Sequence, residues 1–337
     1  DTKGSLSVAI GASALAAQNF TTATDSFNTA VGAVAGQSLT TGVSNTLVGA
    51  LAGDALTDSD FNVAIGSGAL SADTLGTRSV AIGADALVSQ NFTTATNTYN
   101  VAVGTNAGAA ITTGVQNTFV GSLAGDATDD GTNNVAVGFE ALSANCGSGN
   151  VALGCRAGKA ILGDNNTVVG LNAGTDLAGG DGNCFFGREA GANTTSADYN
   201  TAMGEGALAT NTTGGSNTAI GRDAMYYNTT AANNTAVGNS AGKAVTTGAN
   251  NTFVGGICGD GTDDGSANAA VGYGSLSANC GDDNSALGSY TLASCTGDKN
   301  TAVGQTAGFA VTSGDNNLML GADAGRTGSP GGNITSQ

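Results

Sequence analysis

The chain reads as an all-β protein, a parallel β-solenoid of about 19 rungs with 16–17 residues per rung. Three observations predict this: a phrase, Asn-x-Ala-Val-Gly, that returns from end to end, a doubled glycine content, and β-branched residues at fixed places in each return. The glycines that close the phrase are Gly11, Gly32, Gly49, Gly66, Gly83, Gly104, Gly121, Gly138, Gly154, Gly170, Gly187, Gly204, Gly221, Gly238, Gly255, Gly272, Gly288, Gly304 and Gly321. They are 16 or 17 residues apart, except for two steps of 21. That period is too short for a helix-turn-helix repeat or a propeller blade and suits one coil of a solenoid. A helix is disfavoured, because every period carries two glycines beside β-branched residues.

Within a rung, the closing glycine is taken as position 0. Position −1 is apolar in all 19 rungs, from Ile10 to Leu320, and position −3 is mostly Thr or Val, as in Val63, Val80, Thr118 and Thr252. Because side chains alternate along a strand, −3 and −1 share a face, and this face is expected to fill the coil interior. Position −2 then points outward. It reads Ala in most rungs, broken by Leu47, Phe119, Val168, Phe185, Phe253 and Met319. An outward apolar strip of that kind needs a cover, and the simplest cover is a second copy of the chain.

Position −4 is Asn in 17 of the 19 rungs, with Ser7 and Ser79 as the exceptions. In a parallel stack these amides recur about every 4.8 Å and are expected to form a hydrogen-bonded ladder. Position +3 is Ala in 16 rungs. Gly falls at −7 in 14 rungs, among them Gly42, Gly114, Gly131 and Gly248, which marks a second corner needing positive φ or close approach. Two or three short strands per rung are expected. The two long steps carry near-identical inserts, 18–24 and 90–96, which read as loops bulging from single rungs. Residues 107–154 and 241–288 resemble each other at an offset of 134, as a segmental duplication would produce.

Composition narrows the function. Glycine supplies 56 residues, where an average chain of this length holds roughly 24, and proline one, which excludes collagen. There is no histidine, which removes the commonest general base and zinc ligand and makes most hydrolase chemistry improbable. A net charge of −17 repels phosphate backbones and anionic lipid. No stretch reaches the ~20 apolar residues of a membrane span, and the start, Asp1 to Gly4, has neither a methionine nor a signal-peptide core, so the chain reads as a processed product or the ordered part of something longer.

The phrases Ser7-Val8-Ala9-Ile10-Gly11 and Ser79-Val80-Ala81-Ile82-Gly83 resemble the head repeats of YadA-like trimeric autotransporters. Asn250-Asn251-Thr252-Phe253-Val254-Gly255 is similar to related repeats in phage tail fibres and surface fibre proteins. The resemblance covers about residues 4–325. It implies a left-handed β-roll assembled as a homotrimer, a structural fibre that is extracellular, on a virion or cell surface. Such a fibre spaces or presents a receptor-binding tip, or itself adheres to a host glycan or protein. The rung is longer than the autotransporter head repeat, and no heptad stalk, membrane anchor or chaperone domain is seen. The expected organisation is a repeat shaft over 4–325, roughly 90 Å long at 4.8 Å per rung, then a tail or connector over 326–337. An autotransporter-type adhesin head and an ice-binding solenoid are the competing readings. The latter is suggested by Thr at −3 and opposed by Val63, Val80, Val101 and Val135.

No catalytic, cofactor or metal residues are assigned. Cys146, Cys155, Cys184, Cys258, Cys280 and Cys295 lack metal-ligand spacing. Cys280 and Cys295 fall on adjacent rungs, near enough for a disulfide, with buried free thiols favoured. Acidic corners (Asp54, Asp58, Asp60; Asp126, Asp129, Asp130; Asp260, Asp263, Asp264) recur at one phase, where solvated turn carboxylates are favoured over calcium. Sequons occur at Asn19, Asn91, Asn193, Asn211, Asn228 and Asn333, and Glu140, Glu189 and Glu205 lack the repeated partner a glycosidase pair requires. Tyr226-Tyr227 and the inserts around Phe20 and Phe92 are the expected exposed contact points.

Overall fold

The computed structural model describes residues 3–325, so the expected tail at 326–337 and the sequon at Asn333 lie outside the described residues. Every regular element described is a strand. Nineteen are three-residue strands that end one residue before a phrase glycine, from Val8–Ile10 to Leu318–Leu320. The chain divides into two compact units, the first ending at Asn166 and the second beginning at Thr167. In the first, successive strands pair parallel and in register, for example Val101↔Thr118, Ala102↔Phe119 and Val103↔Val120. The second unit repeats the rule, as in Thr218↔Thr235, Ala219↔Ala236 and Ile220↔Val237. Each unit is therefore a parallel β-solenoid.

Fifteen of the nineteen rungs form one strand and four form two, fewer than the two or three expected, because the rest of the coil is bent by left-handed residues at four fixed places, −5, 0, +2 and +4. In one rung these are Gln116 (φ 61°), Gly121 (136°), Leu123 (58°) and Gly125 (60°). At position 0 the backbone value is one that only glycine adopts readily. A Cβ on Gly121 would also lie 2.5 Å from the carbonyl oxygen of Gly138 in the next rung. The −7 glycines answer a different need. Gly42 has no left-handed φ, but a Cβ there would lie 2.2 Å from the Ser59 carbonyl oxygen, so its requirement is close approach between rungs.

The structure inverts the expected facing of the strand. Position −2 is buried in every strand except the first, whose Ala9 is exposed, while −3 and −1 stand on the outer face. The Ala/Phe strip is thus the inner wall of its own coil and cannot be the surface through which copies meet. The physical reason is volume: the lumen is narrow, and −2 shares it with the +3, +4 and +7 columns. Where −2 is large, +4 of the same rung is glycine, as in Leu47/Gly53, Phe119/Gly125, Phe185/Gly191 and Phe253/Gly259. Where +4 is Leu or Met, −2 is Ala, as in Ala81/Leu87, Ala136/Leu142 and Ala219/Met225. Phe119 and Leu142 are both completely buried. The two columns are never both large, and where both are small, as in Ala102/Gly108, the neighbouring rungs reach in: a Cβ on Gly108 would lie 2.8 Å from Leu87 and 3.0 Å from Phe119.

The Asn ladder forms, largely between side chain and backbone. Asn217 Oδ1 accepts the backbone N–H of Asn234 at 2.9 Å, and its Nδ2 donates to the Ala231 carbonyl at 2.8 Å. The same pair of bonds recurs at Asn45, Asn100, Asn117 and Asn251. These amides satisfy corner groups that water cannot reach. Asn217→Ala strands one donor and one acceptor in the interior and is expected to lower stability by about 2–3 kcal/mol, read as a lower denaturant midpoint. Asn217→Asp, which keeps the acceptor, should lose less at low pH than at neutral pH.

The two rungs with Ser at −4 are the two that carry inserts. There a glutamine at +7 takes over the ladder: Gln90 Nε2 donates to Ser79 Oγ at 2.9 Å, and Gln18 Nε2 donates to Ser7 Oγ at 3.2 Å. The inserts end in extra two-residue parallel strands, Thr24–Asp25 beside Gly4–Ser5 and Thr96–Asn97 beside Gly76–Thr77. Phe20 and Phe92, expected as exposed contacts, are instead buried, each ring turned inward beneath its insert. An exposed phenyl ring is unfavourable where an adjoining coil interior can take it.

Candidate functional site

What the fold displays is the outer face of the strands. Position −1 is apolar throughout, and on this face Ile65, Val120, Val137 and Leu153 of the first unit and Met203, Val271, Leu287 and Leu320 of the second are exposed. Position −3 beside it carries Thr or Val in most rungs. In-register pairing holds each column at one height on a continuous sheet within its unit, so the face presents two parallel rows of side chains about 4.8 Å apart along the stack. Apolar rows of this extent on an isolated coil leave a patch that monomers rarely expose.

The remaining sequence candidates are distributed as follows. Tyr226 and Tyr227 pack edge to face, with ring centroids 4.9 Å apart, and Tyr227 is half exposed. It borders a trough of about 610 Å³ with Thr210, Thr229, Thr246 and Asp263. Asn19, Asn91 and Asn193 are exposed, but Asn211 and Asn228 are buried, Asn228 Nδ2 donating to Asn211 Oδ1 at 2.8 Å. Those two sequons are therefore interior ladder residues, hidden from a glycosylating enzyme. All six cysteines are free. Cys280 faces Thr262 Oγ1 at 3.1 Å, and Cys295 lies 3.3 Å from Asn300 Nδ2. The duplicated segment reproduces the first contact, with Cys146 3.2 Å from Thr128 Oγ1. Burial pushes the Cys258 and Cys280 thiols up to about 12 and about 11, so neither is a nucleophilic thiolate at neutral pH.

The acidic corners do not converge. Asp58 accepts from Thr41 Oγ1 at 2.6 Å and Asp60 from the Val43 N–H at 2.8 Å; Asp129 and Asp263 accept from Thr112 and Thr246. Each of these four carboxylates thus ties its corner to the preceding rung, and among the described residues no group of three or more Cys, Asp or Glu side chains is placed to hold a metal. Glu140 is held by Lys159 Nζ at 2.7 Å and Arg156 Nε at 3.1 Å, and its hydrogen bond from Lys159 lowers its pKa. A glycosidase acid needs the opposite shift. Glu205 pairs with Arg188 at 2.7 Å.

Asp73, missed in the sequence, is completely buried at +7. It accepts from Gln90 Nε2 at 2.7 Å and from the N–H groups of Phe92 and Gly76 at 3.0 and 3.1 Å. Burial nonetheless raises its pKa, as it does those of the half-buried Asp54, Asp126 and Asp260. A carboxyl whose folded pKa exceeds its unfolded value binds more protons when folded. Stability is then greatest below the ordinary carboxylate pKa near 3.8 and falls as pH rises through the raised values. The melting temperature is expected to climb on acidification from pH 7.5 toward about 4.5, a direction that relief of the −17 charge reinforces. Scanning calorimetry across that range, with Asp73→Asn to isolate the buried group, checks it.

Fold and face together define a β-solenoid repeat protein with an outward, regularly ribbed sheet. No protein-family model matches the chain, and no curated protein matches it. Among the described residues, no helix is long and apolar enough to cross a membrane.

Proposed function

We propose that the chain is the subunit of a non-enzymatic structural fibre, of the tail-fibre or surface-fibre kind, that works outside the cell as a spacer for a binding tip or as an adhesive shaft. Three copies pack around a shared axis, each contributing its −1/−3 face. The observation that supports this reading is the apolar −1 column standing outward on an in-register parallel sheet. A parallel coil filled largely by Ala and Leu buries little per residue, and an assembly that covered this face would add the missing apolar burial. The Ala/Phe column has no part in it, being spent on the coil's own interior.

Sedimentation or light scattering on the purified chain tests this. The expected mass is about three times the 32.1 kDa of one chain. Val120→Lys with Val137→Lys, two substitutions on the outer face that leave the lumen untouched, should give a folded chain of lower mass. A wild-type chain that remains a stable monomer at tens of micromolar overturns the proposal.

A further inference from the structure

The corner residue at −5 sits in the left-handed region in every rung, where Asn, Asp and Gly are the favoured residues. Eight of the 19 rungs comply, among them Asn133, Asn165, Asn233 and Asn250. The longest run that does not is the first seven rungs, whose −5 residues run Leu6, Phe27, Ser44, Phe61, Arg78, Tyr99 and Gln116, all with φ between 50° and 64°. Among the later exceptions Tyr199, 69% exposed, is a lone ring with no aromatic −5 residue two rungs away. Phe27, Phe61 and Tyr99 are 56%, 50% and 49% exposed. A bulky ring at such a site combines backbone strain with wetted apolar surface. Strain of this sort marks positions where a side chain is kept for its contacts with something else.

The arrangement has a period. The three rings occupy alternate rungs, so neighbours are two strand spacings, roughly 10 Å, apart. Between the second and third stands Arg78, whose Cζ is 5.3 Å from the Phe61 ring centroid and 6.0 Å from that of Tyr99. Its guanidinium also donates to Asn97 Oδ1, which fixes it in the row. Between the first and second ring lies Ser44. A row that alternates an aromatic face with a hydrogen-bonding group every two rungs is poorly matched to a continuous apolar protein surface. It matches a chain that shows the same apolar ring face once per disaccharide and hydroxyl groups in between, over a comparable length. In a β-1,4-linked glycan successive sugars are turned over, so each second pyranose presents the same C–H face, and aromatic rings stack on such faces.

We propose that the aromatic corner of residues 27–99 is a binding site for a linear β-1,4-linked polysaccharide, with the rings of Phe27, Phe61 and Tyr99 each stacking on every second sugar and Arg78 and Ser44 bonding the hydroxyls between them. One copy of the chain suffices, so the site stands apart from the proposed self-association.

Calorimetric titration of the full chain with cellohexaose and chitohexaose, with α-linked maltohexaose as control, tests it. Binding of at least one β-linked hexasaccharide and none of the control is expected. Phe61→Asn and Tyr99→Asn should each weaken that binding about tenfold or more, the scale of one lost stacking contact. Both should melt no lower than wild type, because Asn suits the left-handed backbone better. Three results would overturn the site: no heat with either β-linked sugar at millimolar concentration, equal binding of the α-linked control, or variants that keep sugar binding while the particle mass falls. The last would assign the rings to contacts between copies. Unchanged mass with lost sugar binding separates this site from the fibre reading, and the Val120→Lys, Val137→Lys chain should still bind the sugar if the site is correct.

Discussion

Phe119→Ala is expected to lower stability by about 3–5 kcal/mol, the range for a large ring removed from a closed interior. A second change in the same rung, Gly125→Leu, should return much of it. The ring of Phe119 is completely buried and fills the lumen beside two glycines: a Cβ on Gly125 would lie 2.6 Å from it and one on Gly108 3.0 Å. Seven rungs carry Leu at +4 and all pair it with Ala at −2, and Leu87 and Leu142 occupy that position at φ 51° and 48°, so the backbone at Gly125 accepts a leucine. Gly125→Leu alone should destabilise strongly, because its side chain and the Phe119 ring claim the same space. The double-mutant cycle is thus expected to give a coupling above about 1 kcal/mol that favours the swapped pair. Denaturation followed by circular dichroism, with hydrogen exchange at Thr118–Val120, measures it; simple additivity would refute the account of the lumen. Exchange is the sharper probe, since a stack of rungs can open locally.

The second large effect belongs to the corner column. Gly121→Ala should cost about 3–5 kcal/mol, because it joins a φ of 136° with a methyl 2.5 Å from the Gly138 carbonyl oxygen. That oxygen is backbone, so relief requires the rungs to separate. Accelerated exchange is expected at the Gly138 N–H, which donates to Val120 at 2.8 Å, and at Gly121 itself, while strands several rungs away stay protected. Gly114→Ala is the informative control. Its φ is not left-handed, and its Cβ would meet the Gly131 carbonyl oxygen at 2.4 Å, so it isolates crowding from backbone strain. A Gly121→Ala chain as stable as wild type would mean that the corner is far more yielding than its geometry implies.

Much of the fold was legible along the chain. Unbroken phase of the glycine phrase requires stacked coils, and the recurrence of Asn at −4 requires an inner ladder, whose bonds form as Oδ1 to the next backbone N–H and Nδ2 to a corner carbonyl. The facing of −2 against −1 was not legible from alternation, because both columns are apolar and a period of two carries no sign. The signal that decides it was nevertheless present as a relation between distant positions: large residues at −2 coincide with glycine at +4, which two side chains can satisfy only by sharing one lumen. Cysteine pairing and the acidic corners show the opposite limit, since adjacent rungs bring residues near without fixing which way they point. Phe20 and Phe92 were misplaced for a related reason, an insert being read as a projection when its ring had an interior to enter.

The sequence by itself determined the repeat, its period, the strand at −3 to −1 and the ladder, because each depends on chemistry that recurs locally in every coil. Only the tertiary structure decided which apolar column is spent inside, that four left-handed corners leave room for a single strand in most rungs, and that Phe27, Phe61 and Tyr99 align on one edge. Those properties depend on how much volume a closed coil encloses and where each turn directs its side chains, and neither quantity belongs to any one rung of the sequence.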